Sequence, residues 1–343
     1  MPLEVVSTDG RSFRYREYEI PEIGPRDVHV RVEFAAPKHG TELHSLMGNP
    51  HHRNRWDEKL RIYLPLPEPL PLTERPVGNM VVGSVTDVGP EVASLSPGDR
   101  VFGYGSIREE HQLPEDSWRL LGSLSETDAV CSDPAHVALV AVRDGNVRIG
   151  DAVAVFGMGA IGLMTVQIAA RSGATNVIAV DPIESRRATA RRLGADLAVD
   201  PSAEDAGLRI KRATDNHGVD VAIETSANAA ALHEAIRAIR QCGTIVHVPY
   251  GPKDASTLHL DEEFHVNRPT IIGSQAVWRN PDRSYPLWDE ERARVTAIDL
   301  FRRGMVTSKG IVTPMVGFRD AAQALTDGLA APDRAIKIGV RFP

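Results

Sequence analysis

The chain has 343 residues, with 42% hydrophobic and 25% charged side chains, which is the composition of a water-soluble globular protein long enough for two cored domains. A net charge of −7 without any basic block gives no footing for a nucleic-acid partner. No apolar run reaches membrane-spanning length, residues 1–20 lack an apolar signal core, and two cysteines (Cys131, Cys242) are too few for a disulfide framework, so the cytoplasm is the expected location.

Residues 1 to about 136 are rich in β-formers, glycine and proline. Arg26–Phe34 alternates as a half-buried strand does, and Val81–Val88 followed by Gly89-Pro90 reads as another. Gly98–Gly103 is a turn feeding a short strand. Short strands with turn residues between them predict a compact, barrel-like β domain. Residues 47–75 interrupt it with prolines at 65, 67, 69 and 71, which a central strand cannot hold, so a surface loop is expected there.

From about Pro134 to Ser274 the pattern changes to alternating strands and helices. The stretch Asp151–Gly162 organises it. An apolar run, Ala152–Phe156, leads into Gly157-x-Gly159-x-x-Gly162, and a helical pattern follows to Ser172-Gly173. Strand, tight glycine turn and helix in that order form a dinucleotide fingerprint. Gly157 serves the turn, Gly159 lets a pyrophosphate approach, and Gly162 lets the helix lie on the strand. The N–H groups at Ala160 and Ile161, at the helix start, then face the phosphates. A second strand, Val177–Val180, ends in Asp181, roughly 20 residues on, where a carboxylate accepts the ribose hydroxyls and repels a 2′-phosphate. Further strands at Leu197–Val199, Val219–Glu224, Thr244–Val248 and Thr270–Gly273 predict a six-strand, parallel, doubly wound sheet. Helices are expected at Ala229–Arg240, about Asp289–Arg303 and Phe318–Leu329, with a last strand at Ile336–Phe342.

This order, together with Gly40-Thr41-Glu42-Leu43-His44, Val85-Thr86-Asp87-Val88-Gly89, Gly98–Gly103 and the glycine fingerprint, resembles the medium-chain dehydrogenase/reductase superfamily, the zinc-type alcohol and polyol dehydrogenases. The resemblance spans nearly the whole chain. It implies an α/β fold with a GroES-like β-rich catalytic domain (1–136 and 276–343) and a Rossmann NAD-binding domain (137–275). It also implies hydride transfer to or from a nicotinamide and a homodimer or homotetramer. By the same resemblance Thr41 and His44 relay the substrate proton and Arg186 lies by the adenosine ribose. Lys337 touches the pyrophosphate, and Val248 and Ser274 hold the nicotinamide amide. The family's zinc motif is altered: His39 stands at its cysteine, Gly78-Asn79-Met80 at its Gly-His-Glu, and Asp133-Pro134 at a Glu-Pro placed before the first helix of the cofactor domain. Asn and Met are poor zinc ligands, and Ser106–Leu120 lacks the cysteines of the structural zinc lobe.

The expected activity is therefore NAD-dependent interconversion of a secondary alcohol and a ketone without catalytic zinc, NADP being the less suited cofactor. His39 would act as the base and Asp133 would orient it; a zinc, if bound, would take His39 and Asp133. The polar set Lys38, His39, Glu42, His44, Asn79 and Asp133 favours a hydroxyl-rich substrate such as a sugar, polyol or cyclitol. Two alternatives stand beside it: a zinc-free quinone or enone reductase on the same fold, and a nucleotide-binding protein without catalysis.

Overall fold

The computed structural model describes residues 1–38, 53–250, 254–276 and 288–343. The N-terminal part runs through strands β1 (Leu3–Ser7), β2 (Arg14–Glu17), β3 (Asp27–Ala36), β4 (Asn54–Asp57), β5 (Ile62–Pro65), β6 (Arg75–Pro76), β7 (Met80–Val88), β8 (Arg100–Tyr104), β9 (Glu110–Pro114) and β10 (Trp118–Leu120). Helix α1 (Glu126–Asp144) leads into β11 (Ala152–Phe156), α2 (Ala160–Arg171), β12 (Asn176–Val180), α3 (Glu184–Arg192), β13 (Leu197–Val199) and α4 (Ala206–Ala213). Then come β14 (Val219–Glu224), α5 (Ala229–Ala238), β15 (Ile239–His247), α6 (Glu263–Asn267) and β16 (Thr270–Gly273). The chain closes with α7 (Glu290–Arg302), β17 (Val312–Gly317), α8 (Ala321–Ala330) and β18 (Lys337–Arg341).

Two compact units result: Met1–Val130, Tyr250–Pro252 and Val312–Pro343 form the first, and Cys131–Pro249 and Lys253–Ile311 the second. In the first, the main sheet runs β10-β8-β7-β3-β18-β17, with β9 also paired to β3. The alternation read in Arg26–Phe34 is the alternation of β3, where Val28, Val30, Val32 and Phe34 are all buried. Val28, Val30 and Val32 pack with Val81, Val85, Val101, Trp118, Ile338 and Val340 into one core, each side chain contributing about 1.5–3 kcal/mol by burial. The segment expected to be a plain surface loop holds more order than that. Strands β4 and β5 make a hairpin in which Trp56 pairs with Tyr63, their rings 5.0 Å apart, and Arg75-Pro76 pairs with β1 at the edge of a small sheet. Pro65 ends β5 and Pro76 lies in the edge strand β6, places that tolerate a missing N–H, while the prolines at 67, 69 and 71 lie outside any strand.

The second unit carries the six-stranded parallel sheet in the order β13-β12-β11-β14-β15-β16. Its strands are nearly continuous apolar runs because helices cover both faces. Strand order reverses between β11 and β14, so the ligand crevice of such a sheet lies outside their C-terminal ends.

The expected domain boundaries are 136 and 276; by internal contacts the first unit ends at Val130 and resumes at Val312. The reason is visible: the Gln167 amide donates to the Thr307 carbonyl (3.1 Å) and accepts its N–H (2.9 Å), Arg171 Nε donates to the Met305 carbonyl (3.0 Å), and the Arg143 guanidinium stacks on Trp288 at 3.7 Å. These contacts hold the segments on either side of α7 to helices α1 and α2. Asp133-Pro134, expected ahead of a helix, lies in the middle of α1. Proline there removes one backbone donor but does not end the helix, which is buried along Ala129–Ala135.

Candidate cofactor and active site

Each glycine of the fingerprint has a separate steric reason. Gly157 has φ +92, and a Cβ there would meet Ser226 Cα at 2.8 Å. At Gly162 a Cβ would lie 1.8 Å from the Gly157 carbonyl oxygen, so only hydrogen lets α2 rest on the turn. Gly159 differs: a Cβ there would meet nothing within 4 Å. Its side opens to space, as a site for a pyrophosphate must. Gly159 caps α2 without any side-chain hydrogen bond, leaving the first N–H groups, at Ala160 and Ile161, for an anion.

Asp181 stands at the tip of β12 and is buried. Its Oδ2 accepts the Met158 N–H at 2.7 Å and its Oδ1 the Ile183 N–H at 2.8 Å. The carboxylate thus ties the glycine turn to the second strand and keeps lone pairs for a ribose diol. Arg186 lies half-buried near the start of α3. Its neighbour Arg187 is turned inward: it donates to the Asp181 carbonyl at 2.7 Å and pairs with Glu184 (2.7 Å) and Asp200 (2.9 Å). With two carboxylates already on it, Arg187 has little charge left to offer a 2′-phosphate.

Three residues expected to contact the cofactor make the following bonds in the structure. The Val248 N–H donates to the Glu224 carbonyl (3.0 Å) and the Ser274 N–H to the His247 carbonyl (2.9 Å), both extending the sheet ladder. Lys337, read as a pyrophosphate contact, is buried in the first unit, where its Nζ donates to the Pro37 carbonyl at 2.8 Å. The sequence reading missed the pair at the far strand tips. Glu224, fully buried, and His247 face each other across the β14–β15 register, with Nδ1 3.0 Å from Oε2.

On the alcohol-handling side, His39, Thr41, Glu42 and His44 lie outside the described residues. Asp133 and His136 are both buried one turn apart on α1 and so share its face. Gly78 brings its backbone so close to Ser106 that a Cβ would lie 2.3 Å from Ser106 Cα. Beside it the Asn79 Oδ1 is buried with no hydrogen bond among the described residues, and Met80 is buried. Zinc binds imidazole, thiolate or carboxylate at about 2.0–2.3 Å, and an amide oxygen beside a thioether does not supply that chemistry. Of the described residues at the family's ligand positions, Asn79 and Met80 do not fit a catalytic zinc, whereas the Asp133 carboxylate is of a ligand type. Elsewhere among the described residues, ligand atoms of His233, Glu262 and Glu263 lie within 4.8 Å of one another. Arg237 Nε sits 3.4 Å from Glu263 and already supplies positive charge there. A cavity of about 880 Å³ in the first unit, lined by Tyr15, Met315 and Phe318 among others, contains none of the expected site residues.

A β-rich unit returning at its C-terminus, a doubly wound six-strand sheet, and a glycine turn backed by a strand-tip carboxylate define a nicotinamide-dependent dehydrogenase fold. The chain belongs to the medium-chain dehydrogenase/reductase superfamily, the zinc-type alcohol dehydrogenases, and is an enzyme of that class. Residues 160–289 match the family model described as zinc-binding dehydrogenase. D-guloside 3-dehydrogenase of Escherichia coli (strain K12) is 36% identical over 99% of both chains. The crystal structure of 2R,3R-butanediol dehydrogenase from Bacillus subtilis shares the fold at TM-score 0.77 with 24% identity, covering 99% of each chain. So does a zinc-binding dehydrogenase from Sinorhizobium meliloti 1021 bound to NADP, at TM-score 0.76 with 22% identity and 99% of each chain covered.

Proposed function

We propose that the protein oxidises a secondary ring hydroxyl of a sugar or glycoside to the ketone, reversibly, with NAD as hydride acceptor. The observation that carries the cofactor half is the Asp181 carboxylate, anchored to the Met158 N–H at the mouth of a turn that is open at Gly159. The substrate class rests on the full-length similarity to D-guloside 3-dehydrogenase and on the polar character of Lys38, His39, Glu42, His44, Asn79 and Asp133.

Bound NAD supplies a nicotinamide ring that takes up the hydride. The substrate's carbinol hydrogen leaves with both electrons of its C–H bond, and its hydroxyl proton goes to a protein base. His39 is the base in this reading: an imidazole with an ordinary pKa of about 6.5 exchanges protons near neutrality. Thr41 and His44 pass the proton to solvent. Asp133 is the further acid–base group of this reading. No metal enters this scheme, because the Asn79–Met80 pair does not fit one. The enzyme is proposed to work in the cytoplasm as a homodimer or homotetramer; no helix among the described residues is long and apolar enough to cross a membrane.

Substrate-dependent formation of NADH tests the reading. Gulosides, free sugars and polyols should support it, and aliphatic alcohols should not. In His39→Ala, kcat should fall about a hundredfold while NADH binding holds. Turnover confined to quinones or enones would overturn the assignment.

A further inference from the structure

The Glu224–His247 pair, which the scheme above does not use, lies where the other half of a dinucleotide would end. Asp181 at the tip of β12 takes the adenosine side. In the order β12-β11-β14-β15, the tips of β14 and β15 therefore lie on the opposite flank of the glycine turn. Glu224 is fully buried at that tip. Its Oε1 accepts the N–H of Ser226 (2.5 Å), the Ser226 hydroxyl (2.6 Å) and the Ala227 N–H (3.0 Å), and so holds the loop that packs on Gly157. Its Oε2 has no aligned hydrogen bond among the described residues. The His247 Nδ1 is 3.0 Å away but off the line a hydrogen bond prefers, and the His247 side chain is 23% exposed.

A buried carboxylate oxygen without an aligned donor is costly, and such contacts in functional sites often tighten only when ligand arrives. The ring can do this by a small rotation that brings Nδ1–H onto Oε2. The proton then sits on Nδ1, and Nε2 is left as an acceptor on a ring that is partly exposed.

We propose that His247 binds the nicotinamide carboxamide, with Nε2 accepting from its amino group, and that Glu224 is the positioning residue that fixes the ring's tautomer. This rests on the dinucleotide reading of the glycine turn.

The test compares three probes on the full chain: NADH, its reduced 3-acetylpyridine analogue (methyl in place of the amino group) and ADP-ribose, which lacks the nicotinamide. Wild-type protein should prefer NADH to the analogue by about tenfold, the size of one hydrogen bond. His247→Leu should weaken NADH about tenfold, leave ADP-ribose within about twofold, and bring NADH and the analogue level. Glu224→Gln keeps an acceptor for the 225–227 loop but presents an amide to Nδ1, and should weaken NADH with ADP-ribose unchanged. Equal weakening of NADH and ADP-ribose would reduce the pair to a loop clamp and overturn the proposal. So would wild-type protein that binds NADH and the analogue alike, a measurement that needs no variant to fold. Wild-type protein that binds neither NADH nor ADP-ribose would instead refute the dinucleotide reading, and this inference with it.

Discussion

The turn at Gly157–Gly162 and the corner at Gly78–Met80 both place a glycine where backbone presses on backbone. A Cβ would come within 2.8 Å of Ser226 Cα at Gly157 and 2.3 Å of Ser106 Cα at Gly78. At the turn, the side chains around the glycine also match the family pattern: Asp181 reaches back to the Met158 N–H, and the start of α2 is left uncapped. At the corner the backbone shape is present, but the residues beside it are Asn79 and Met80 rather than metal ligands. The turn keeps both the glycines and the strand-tip carboxylate of the family pattern, and the corner keeps the glycine with Asn79 and Met80 beside it.

The sharpest break of that comparison lies within the turn itself. Gly162→Ala pushes a methyl into the Gly157 carbonyl and should cost about 3 kcal/mol or more in urea unfolding. Gly159→Val places its side chain in open space, so its melting temperature should stay near the parent's while NADH affinity falls about a hundredfold or more. Matched stability losses in the two variants would mean that Gly159 is structural too.

The next test is in the first unit. His111 is buried against Trp118, and desolvation holds its pKa down to about 4, against a bond from Nε2 to the Ser106 carbonyl (3.0 Å) that favours the charged form; nearby Arg108 adds to the depression. The unfolded chain, with an imidazole near 6.5, therefore takes up the proton first. The stabilisation is complete above pH 6.5 and is lost as pH falls from there toward 4, by about 3 kcal/mol. The urea midpoint of wild-type protein should fall across that window, and His111→Gln should flatten the fall. NADH affinity per folded molecule should not follow it.

A smaller effect is expected at the strand tip. Asp181→Ala should weaken NADH about tenfold and leave NADPH nearly unchanged, because removing the carboxylate removes both the ribose acceptor and the repulsion of a 2′-phosphate. Equal or tighter binding of NADPH by the unaltered protein would contradict the assigned preference.

What the sequence made legible follows from distance along the chain. The glycine turn, β11 and α2 are contiguous, so spacing and hydrophobic period were enough, and Asp181 needed only the next strand. Glu224 and His247 meet through the register of parallel strands joined by a helix, which no local pattern specifies. Pro134 reads as a helix boundary from its chemistry alone, yet the burial of Ala129, Val130, Cys131 and Ala135 carries α1 through it. The segment before Val312 is held by long-range contacts such as Gln167 with Thr307 and Arg171 with Met305, which no local pattern specifies. The roles given to His39, Thr41 and His44 rest on resemblance, since these residues lie outside the described part of the chain.

The central claim, that dehydrogenation proceeds here without the metal of the family's name, is tested most directly by one paired measurement. Protein purified without chelator is analysed for metal, and its guloside-dependent NADH formation is recorded before and after chelation. The account predicts substoichiometric zinc and an unchanged rate. Stoichiometric zinc whose removal abolishes turnover, and whose return restores it, would contradict it.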